Sequence, residues 1–228
     1  EADDSSIGSG GAALVPCNWL QHWENVVDPF HVPVLHGSFS GAQFVEEMAQ
    51  VPKVEFSVTE RGVKVVSLRT LDDGRRFRRV TEAVIPTLRV VPNPRVGGYG
   101  RVESIGWVLP IDDTHYRIYV AGRVTENGQL GGMRSKMNGK FWWELTEEEH
   151  QRFPGDYEAQ TGQGPITFHS EEHFAASDKG IALLRRFLEL QLKKLAEGGD
   201  PAGVAFDEDH AQVRFEAGNY LADSPETC

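Results

Sequence analysis

Two histidines and two short polar side chains lie close together in the segment 18–36, NWLQHWENVVDPFHVPVLH. His31 and His36 offer imidazole nitrogens, and Asn25 and Asp28 precede them by a few residues. Two histidines and one carboxylate form a ligand set that holds mononuclear iron and leaves coordination positions open for dioxygen. The segment is therefore a candidate metal site.

The spacing of the two histidines constrains the local backbone. On a regular α-helix, residues five apart point about 140° away from each other, so His31 and His36 share one ion only if the helix is distorted. Pro33 lies between them and gives a reason for a distortion, because proline lacks the N–H and clashes with the preceding turn. From spacing alone an alternative stays open, in which one histidine packs in the core and the other lies on the surface.

The same segment resembles the iron-binding helix of the catalytic (alpha) subunit of Rieske non-haem iron aromatic-ring-hydroxylating oxygenases. The family pattern is Asn-Trp, Glu-Asn, then Asp, two residues, His, four residues and His. The chain has every element of it: Asn18-Trp19, Glu24-Asn25, Asp28, His31 and His36. The resemblance implies that His31 and His36 ligate Fe(II). It also implies that Asp28 forms the electron-transfer bridge to the Rieske cluster of a neighbouring subunit, and that Asn25 lies close to the metal.

In this family a carboxylate from far along the chain completes the ligand set. The acidic candidates are Asp156, Glu158, Glu171, Glu172 and Asp178. The stretch 154–166, PGDYEAQTGQGPI, resembles the distal ligand region of the phthalate-dioxygenase-like branch and has Asp156 at the ligand position. The alternative for Asp156 is a surface acid in a Pro-Gly turn. Asp178 is instead expected to favour a helix N-terminus, where the dipole stabilises negative charge.

Composition excludes several classes of protein. The chain has 228 residues and a formal net charge of −11, whereas a nucleic-acid partner calls for a basic face. No apolar run approaches the roughly 20 residues of a membrane span, and the N-terminus does not resemble a signal peptide, so we predict a cytoplasmic protein. Cys17 and Cys228 lack the paired spacing of an iron–sulfur site and are predicted to be free thiols.

Strand and helix patterns predict an α+β fold. Tight-turn signals at 60–62, 72–74 and 112–114 separate β-branched runs, which is typical of an antiparallel sheet. A long C-terminal helix is predicted from Ser177 as cap to Gly198-Gly199, with the apolar stripe Ile181, Leu184, Leu188, Leu192 and Leu195. This stripe must pack on the sheet, which leaves a ligand pocket between the two. The layout matches the helix-grip (START-like) fold of the family.

Two further groups of side chains bear on a substrate site. Phe141, Trp142 and Trp143 are predicted to be core residues, with an aromatic pocket lining as the alternative. Arg75, Arg76, Arg78 and Arg79 are predicted to form an exposed strand face. The alternative is that one of these arginines points inward and binds a substrate carboxylate.

The domain organisation is predicted in two parts. Residues 1–12, EADDSSIGSGGA, are small, acidic and glycine-rich and are predicted to be a linker or the edge of something longer, and residues 13–228 one catalytic mononuclear-iron domain. The family also has a Rieske domain, in which Cys-x-His and Cys-x-x-His hold a 2Fe-2S cluster, and the chain has neither pair. The resemblance therefore implies a Rieske cluster in the full-length protein or another subunit, not bound by this chain.

The resemblance implies an oxygenase in which Fe(II) activates dioxygen beside an aromatic substrate, an aromatic acid or aryl ether, that is hydroxylated or oxidatively demethylated. Electrons would come from a reductase or ferredoxin through the Rieske cluster, in a homo-oligomer that is a trimer or a multiple of it. Two other functions stay open. A non-catalytic START-like module would bind hydrophobic ligands without needing the histidine pair. A zinc hydrolase could use the same three ligands, although Glu24 is the only nearby base in the motif.

Overall fold

The computed structural model describes residues 7–39, 46–92, 104–123, 140, 144–152, 154–204, 206 and 214–222. Its strands are β1 (Ile7–Val15), β2 (Lys53–Thr59), β3 (Gly62–Thr70), β4 (Arg76–Val84), β5 (Leu88–Val90), β6 (Ser104–Asp112), β7 (His115–Arg123) and β8 (Gly218–Ala222). Its α-helices are α1 (Trp19–Val27), α2 (Glu147–Arg152), α3 (Asp156–Thr161) and α4 (Lys179–Ala196). A π-helical segment spans Val32–Phe39, and 3-10 turns span Glu46–Ala49, His169–Glu171 and Ala176–Asp178.

The strands form one antiparallel sheet in the order β1-β7-β6-β5-β4-β3-β2. The short strand β5 pairs with the C-terminal end of β4, and β8 pairs with its N-terminal half, so both lie along the edge of β4 away from β3. The α+β prediction with an antiparallel sheet is confirmed.

Helices α1 and α4 pack on one face of this sheet, which we call the inner face. The core combines residues of both helices with alternate residues of the strands: Trp23, Val27, Leu184, Phe187, Val63, Val65, Ala83, Val108, Tyr116 and Ile118. Gly180 allows α4 to begin directly against the end of α1, since a Cβ there would lie 2.4 Å from the carbonyl oxygen of Val27. Contact with the sheet and with α1 therefore fixes the start of α4.

The predicted long helix is present, but its first and last turns differ from expectation. Ser177 is not its cap, because the turn Ala176–Asp178 precedes the helix and Asp178 takes the N-cap position. Asp178 makes no side-chain bond to the helix, and its Oδ2 instead accepts from the N–H of Ala175 at 2.7 Å. The stripe is buried at Leu184, while Leu192 and Leu195 remain 67% and 56% exposed.

The N-terminal segment is more ordered than its composition suggested. Strand β1 begins at Ile7 and pairs with β7 from Arg123 to Tyr116, so residues 7–12 belong to the sheet and the linker prediction is wrong for them. Backbone hydrogen bonds along β7 order this glycine-rich strand, and they do not require large apolar side chains. Residues 1–6 lie outside the described ranges.

The arginine group also departs from the prediction. Arg79 is buried on the inner face, where its Nη1 donates to Asn219 Oδ1 at 3.0 Å and its Nη2 donates to the carbonyl oxygen of Pro92 at 2.6 Å. The exposed-face interpretation is therefore wrong for Arg79, because alternate residues of a strand point to opposite faces of the sheet. Phe141, Trp142 and Trp143 lie outside the described residues.

The structure also bears on the predictions for the cysteines and for membrane-spanning segments. Cys17 is buried and forms no disulfide, as predicted, whereas Cys228 lies outside the described ranges. Burial raises the pKa of the Cys17 thiol to about 11, so the thiol is protonated at neutral pH. Among the helices within the described ranges, none combines the length and the apolar character that a membrane crossing requires.

Candidate metal centre

The helix that carries the histidine motif is broken just before His31, and the segment between the two histidines has the predicted distortion, because it is π-helical. Helix α1 ends at Val27, and Asp28 is its C-cap in an extended conformation. The carboxylate of Asp28 then accepts from the N–H of Phe30 at 2.8 Å and from the N–H of His31 at 3.2 Å, which turns the chain into the π-helical segment. A π-helix bonds residues five apart, so its wider turn brings the His31 and His36 rings to a centroid separation of 5.3 Å.

Asp156 is the first residue of α3 and approaches both histidines from the opposite side of the site. Its Oδ1 lies 2.9 Å from His36 Nε2 and 3.4 Å from His31 Nε2. One ligand atom from each of the three residues falls within 4.8 Å of the other two. The structure therefore brings together residues 120 positions apart in the chain.

The other acidic candidates are engaged elsewhere. Glu158 contacts His150 and accepts from the N–H of Gly155, whereas Glu172 forms two hydrogen bonds with Arg185. Asp178 accepts from Ala175, and Glu171 is exposed in a 3-10 turn. Within the described ranges, the group that could hold an ion consists of His31, His36 and Asp156.

The two residues predicted to act beside the ligands also contact them. Asn25 Nδ2 donates to Asp156 Oδ1 at 3.2 Å, and Asp28 Oδ2 lies 3.4 Å from His31 Nδ1. The Asp28 carboxylate thus lies at ion-pair distance from the far nitrogen of His31, while Nε2 of His31 is directed at Asp156. The side chain of Asp28 remains 26% exposed, so it reaches the surface as well as the site.

Opposite charges shape the electrostatics of this group. Burial alone would lower the pKa of His31, but the contact with the Asp28 carboxylate and the negative charges of Asp156 and Asp28 outweigh it and raise that pKa. Burial would raise the pKa of Asp156, but His36, His31 and Asn25 together lower it. The Asp156 side chain is 45% accessible, so solvent screens part of this effect, although the carboxylate remains ionised at neutral pH.

A buried polar network holds α3, and with it Asp156, against α1 and β7. Tyr116 donates its hydroxyl to Gln160 Oε1 at 2.7 Å, and His22 Nδ1 lies 3.2 Å from the same oxygen. Gln21 Nε2 donates to the carbonyl oxygens of Gln160 and Gly164 at 2.8 and 3.0 Å. Only their polar character marks Gln21 and His22 in the sequence, so no local pattern connects them with Tyr116 and Gln160.

His22 is neutral in this network. Burial, followed by the positive charge of Arg89, lowers the pKa of His22 to about 3. Because an amide oxygen only accepts, the contact with Gln160 places a proton on His22 Nδ1. Nε2 of His22 is buried and has no hydrogen-bond partner within the described ranges.

Replacing Gln160 with leucine is expected to lower the free energy of unfolding by about 1–3 kcal/mol, because it removes the acceptor that the buried Tyr116 hydroxyl and His22 Nδ1 share and leaves them only each other. Urea denaturation measures the change. Gln163→Leu is the matched control, since Gln163 is exposed and bonds only to its own segment. Equal losses of stability in the two variants would contradict the role assigned to Gln160.

Glu24 of the motif serves a structural ion pair. Arg185 Nε donates to Glu24 Oε1 at 2.6 Å, and its two terminal nitrogens donate to Glu172 at 2.6 and 2.8 Å. The hydrogen bond from Glu172, reinforced by Glu24, raises the pKa of Arg185. The arrangement ties α1 to α4 and to the segment that follows α3, so Glu24 is already paired as a carboxylate.

The chain is similar in sequence to known oxygenase subunits. No protein-family model matches the chain. Phenoxybenzoate dioxygenase subunit alpha from Ectopseudomonas oleovorans is 46% identical over 214 residues, which cover 93% of this chain and 52% of that protein. The chain is homologous to the oxygenase subunits of Rieske-type oxygenases. The family resemblance of the histidine motif is thereby confirmed.

A more distant oxygenase-subunit relative supports the same branch. The oxygenase subunit of phthalate 4,5-dioxygenase from Pseudomonas putida is 23% identical over 234 residues, which cover 84% of this chain and 52% of that protein. The chain thus spans about half the length of these curated relatives. The solved structure of Pseudomonas putida CBB5 NdmA with caffeine superposes with a TM-score of 0.53 at 16% identity, covering 92% of this chain and 61% of that one. This last similarity shows the fold alone.

Proposed function

We propose that the chain is the catalytic domain of a Rieske-type non-haem iron oxygenase, which hydroxylates or oxidatively demethylates an aromatic substrate. One observation carries the proposal: His31, His36 and Asp156 place three ligand atoms within 4.8 Å of one another in a homologue of such oxygenases. Two imidazoles and one carboxylate fit mononuclear Fe(II), and this donor set leaves coordination positions for other ligands. When bound, Fe(II) supplies the dioxygen chemistry that no side chain provides.

The neighbouring residues are assigned roles that follow from their contacts. Asp28 positions His31 by accepting from its backbone N–H at 3.2 Å and lies 3.4 Å from its Nδ1. We assign the partly exposed carboxylate of Asp28 to the contact with a Rieske cluster of a neighbouring subunit. Asn25 positions Asp156 through its amide hydrogen bond. The buried polar network of Gln21, His22, Tyr116 and Gln160 keeps α3 in place, so that Asp156 meets the histidines without rearrangement.

The partners are proposed with the function. The relative that is 46% identical is named for phenoxybenzoate, an aromatic acid that is also an aryl ether, and we propose substrates of that class for this chain. A Rieske 2Fe-2S cluster of the full-length protein, not bound by the residues of this chain, would receive electrons from a reductase or ferredoxin and deliver them to the iron. A homo-oligomer would bring that cluster next to Asp28, and the oligomer and the cytoplasmic location stay predictions.

Two alternatives have less support. A START-like binding module has no use for two histidines and a carboxylate whose ligand atoms converge. A zinc hydrolase would need a free general base, and Glu24 is paired with Arg185 at 2.6 Å. The oxygenase assignment accounts for both the ligand group and the homology.

Anaerobic titration with Fe(II) is expected to give about one iron per chain, and His31→Ala is expected to abolish this binding because it removes one of three donors. His115→Ala is the matched control, since His115 lies at the start of β7 and pairs with Asp112. Iron is measured by ferrozine after desalting. Iron binding that is absent, or equal in His31→Ala and His115→Ala, would contradict the assignment.

The iron-loaded chain also allows the alternatives to be separated. Nitric oxide is a probe of coordination positions open to dioxygen, and we expect a high-spin iron–nitrosyl signal in electron paramagnetic resonance. Ester hydrolysis by the zinc-loaded chain without dioxygen or reductant would favour the hydrolase instead. A metal-free chain that binds hydrophobic ligands tightly and takes up no iron would favour the binding module.

A further inference from the structure

Arg89 is a cationic residue in an apolar row of the sheet. In the strand register it lies between Ala83 of β4 and Gly106 of β6, and the row continues to Val63 of β3 and Val120 of β7. Ala83 and Val63 are fully buried in the core beneath α1 and α4. Because residues in register on neighbouring strands share a face, the Arg89 side chain points to the inner face, where the metal ligands also lie.

Gly106 makes room for this side chain. A Cβ at position 106 would lie 2.8 Å from Arg89 Nε and 3.3 Å from Arg89 Cγ. The stem of Arg89 therefore lies flat across the backbone of β6, in the space that any other residue at position 106 would fill.

Arg89 differs in its hydrogen bonding from Arg69 and Arg79, which also point to the inner face. Arg79 donates to Asn219 and to Pro92, and Arg69 Nε donates to the carbonyl oxygen of Gln50 at 2.9 Å, although its Nη1 is buried without a partner within the described residues. Arg89 Nε is buried and has no hydrogen-bond partner in the described part of the chain. Because burying an N–H of a charged guanidinium without a partner is costly, an acceptor outside the described residues is expected at Nε.

Electrostatic coupling connects Arg89 to the candidate metal centre. Burial lowers the pKa of Arg89, whereas the charges of Asp156 and Tyr116 raise it. The charge of Arg89 in turn disfavours protonation of His22. Asp156 is thus close enough to act on the guanidinium, yet it bonds to His36 and Asn25 and makes no ion pair with Arg89. The guanidinium faces the same interior region as the ligand group.

We propose that Arg89 binds the carboxylate of an aromatic acid substrate and so directs the substrate's ring towards His31, His36 and Asp156. The planar guanidinium matches a carboxylate through two parallel hydrogen bonds. His22 is neutral and supplies no competing positive charge. The inference rests on the proposed function for the role of the ring, whereas the carboxylate site itself needs no metal.

Isothermal titration calorimetry of the iron-free chain tests the carboxylate site, with benzoate and its neutral analogue benzamide as probes. The chain is expected to bind benzoate about 10- to 100-fold more tightly than benzamide, the range for a hydrogen bond to a charged group. Arg89→Met is expected to bring this ratio close to one. Arg89→Lys is expected to retain part of it, because lysine keeps the charge and loses the fork.

Two more variants separate the guanidinium from general effects of charge and folding. Arg117→Met removes one positive charge from the exposed face of β7 and is expected to leave the ratio unchanged. Gly106→Ala keeps the charge but displaces Arg89 Nε, so benzoate binding is expected to weaken. If circular dichroism shows that Arg89→Met does not fold, benzoate binding by Gly106→Ala tests the carboxylate site instead.

The outcomes separate this inference from the proposed function. Failure to bind benzoate, equal binding of the two probes, or a benzoate preference that survives in Arg89→Met would overturn the carboxylate site. Iron binding that depends on His31 would be unaffected by such a result. A chain that discriminates benzoate through Arg89 but takes up no iron would retain this site and lose the oxygenase assignment.

Discussion

Iron affinity is expected to fall by at least about 100-fold when Asp156 is replaced by alanine. A residue that binds the metal directly contributes more than a neighbour that only orients a ligand, and loss of such a neighbour costs about 10- to 100-fold. Asp156 Oδ1 is the atom that approaches both histidine Nε2 atoms, so its removal leaves two imidazoles without the anionic donor. Anaerobic Fe(II) titration with iron quantified per chain measures the effect. Asp156→Asn tests whether the negative charge or only the shape of the side chain is required. If the charge is required, Asp156→Asn also binds iron poorly.

Glu171→Ala is the matched control for Asp156→Ala. Glu171 was another candidate from the sequence, and it lies exposed in a 3-10 turn outside the ligand group. It is expected to leave iron binding unchanged. Iron retained in Asp156→Ala, or lost in Glu171→Ala, would show that the third ligand has been assigned to the wrong residue.

Gly180→Ala is expected to lower the free energy of unfolding by about 2–3 kcal/mol, the upper part of the range for forced overpacking of a core. Helix propensity alone predicts the opposite sign, a gain of about 1 kcal/mol. The contact decides the sign, because the new Cβ would lie 2.4 Å from the carbonyl oxygen of Val27 and 2.6 Å from Phe56 Cε1. Thermal unfolding is expected to shift down by roughly 4–12 °C.

Ala182→Gly provides the comparison on the same helix. Ala182 is exposed, so this change has only the propensity cost of about 1 kcal/mol. If Gly180→Ala stabilises the chain, then α4 does not begin in contact with the end of α1. That result would also remove the physical link between the long helix and the segment that carries the histidines.

The histidine site shows how far local sequence information reaches. The spacing of His31 and His36, with Pro33 between them, required a distorted helix, and the structure has a π-helical segment there. The choice of Asp156 came from resemblance, since nothing local distinguishes it from Glu158 or Glu171. Its approach to the histidines depends on how α3 packs on α1 and β7, through bonds to Gln160 from residues 44 to 139 positions away.

Periodicity within short segments predicted the strands, the long helix and the helical break, because hydrophobic patterning reflects which face of one element is buried. It failed where order comes from a partner strand, as at residues 7–12, and where the face depends on register, as at Arg79. The sequence by itself determined the ligand types and the α+β class. Only the tertiary structure decided that Asp156 meets both histidines and that Arg89 lies across Gly106 with its Nε unpartnered among the described residues. These contacts join residues whose distance is set by the packing of separate elements.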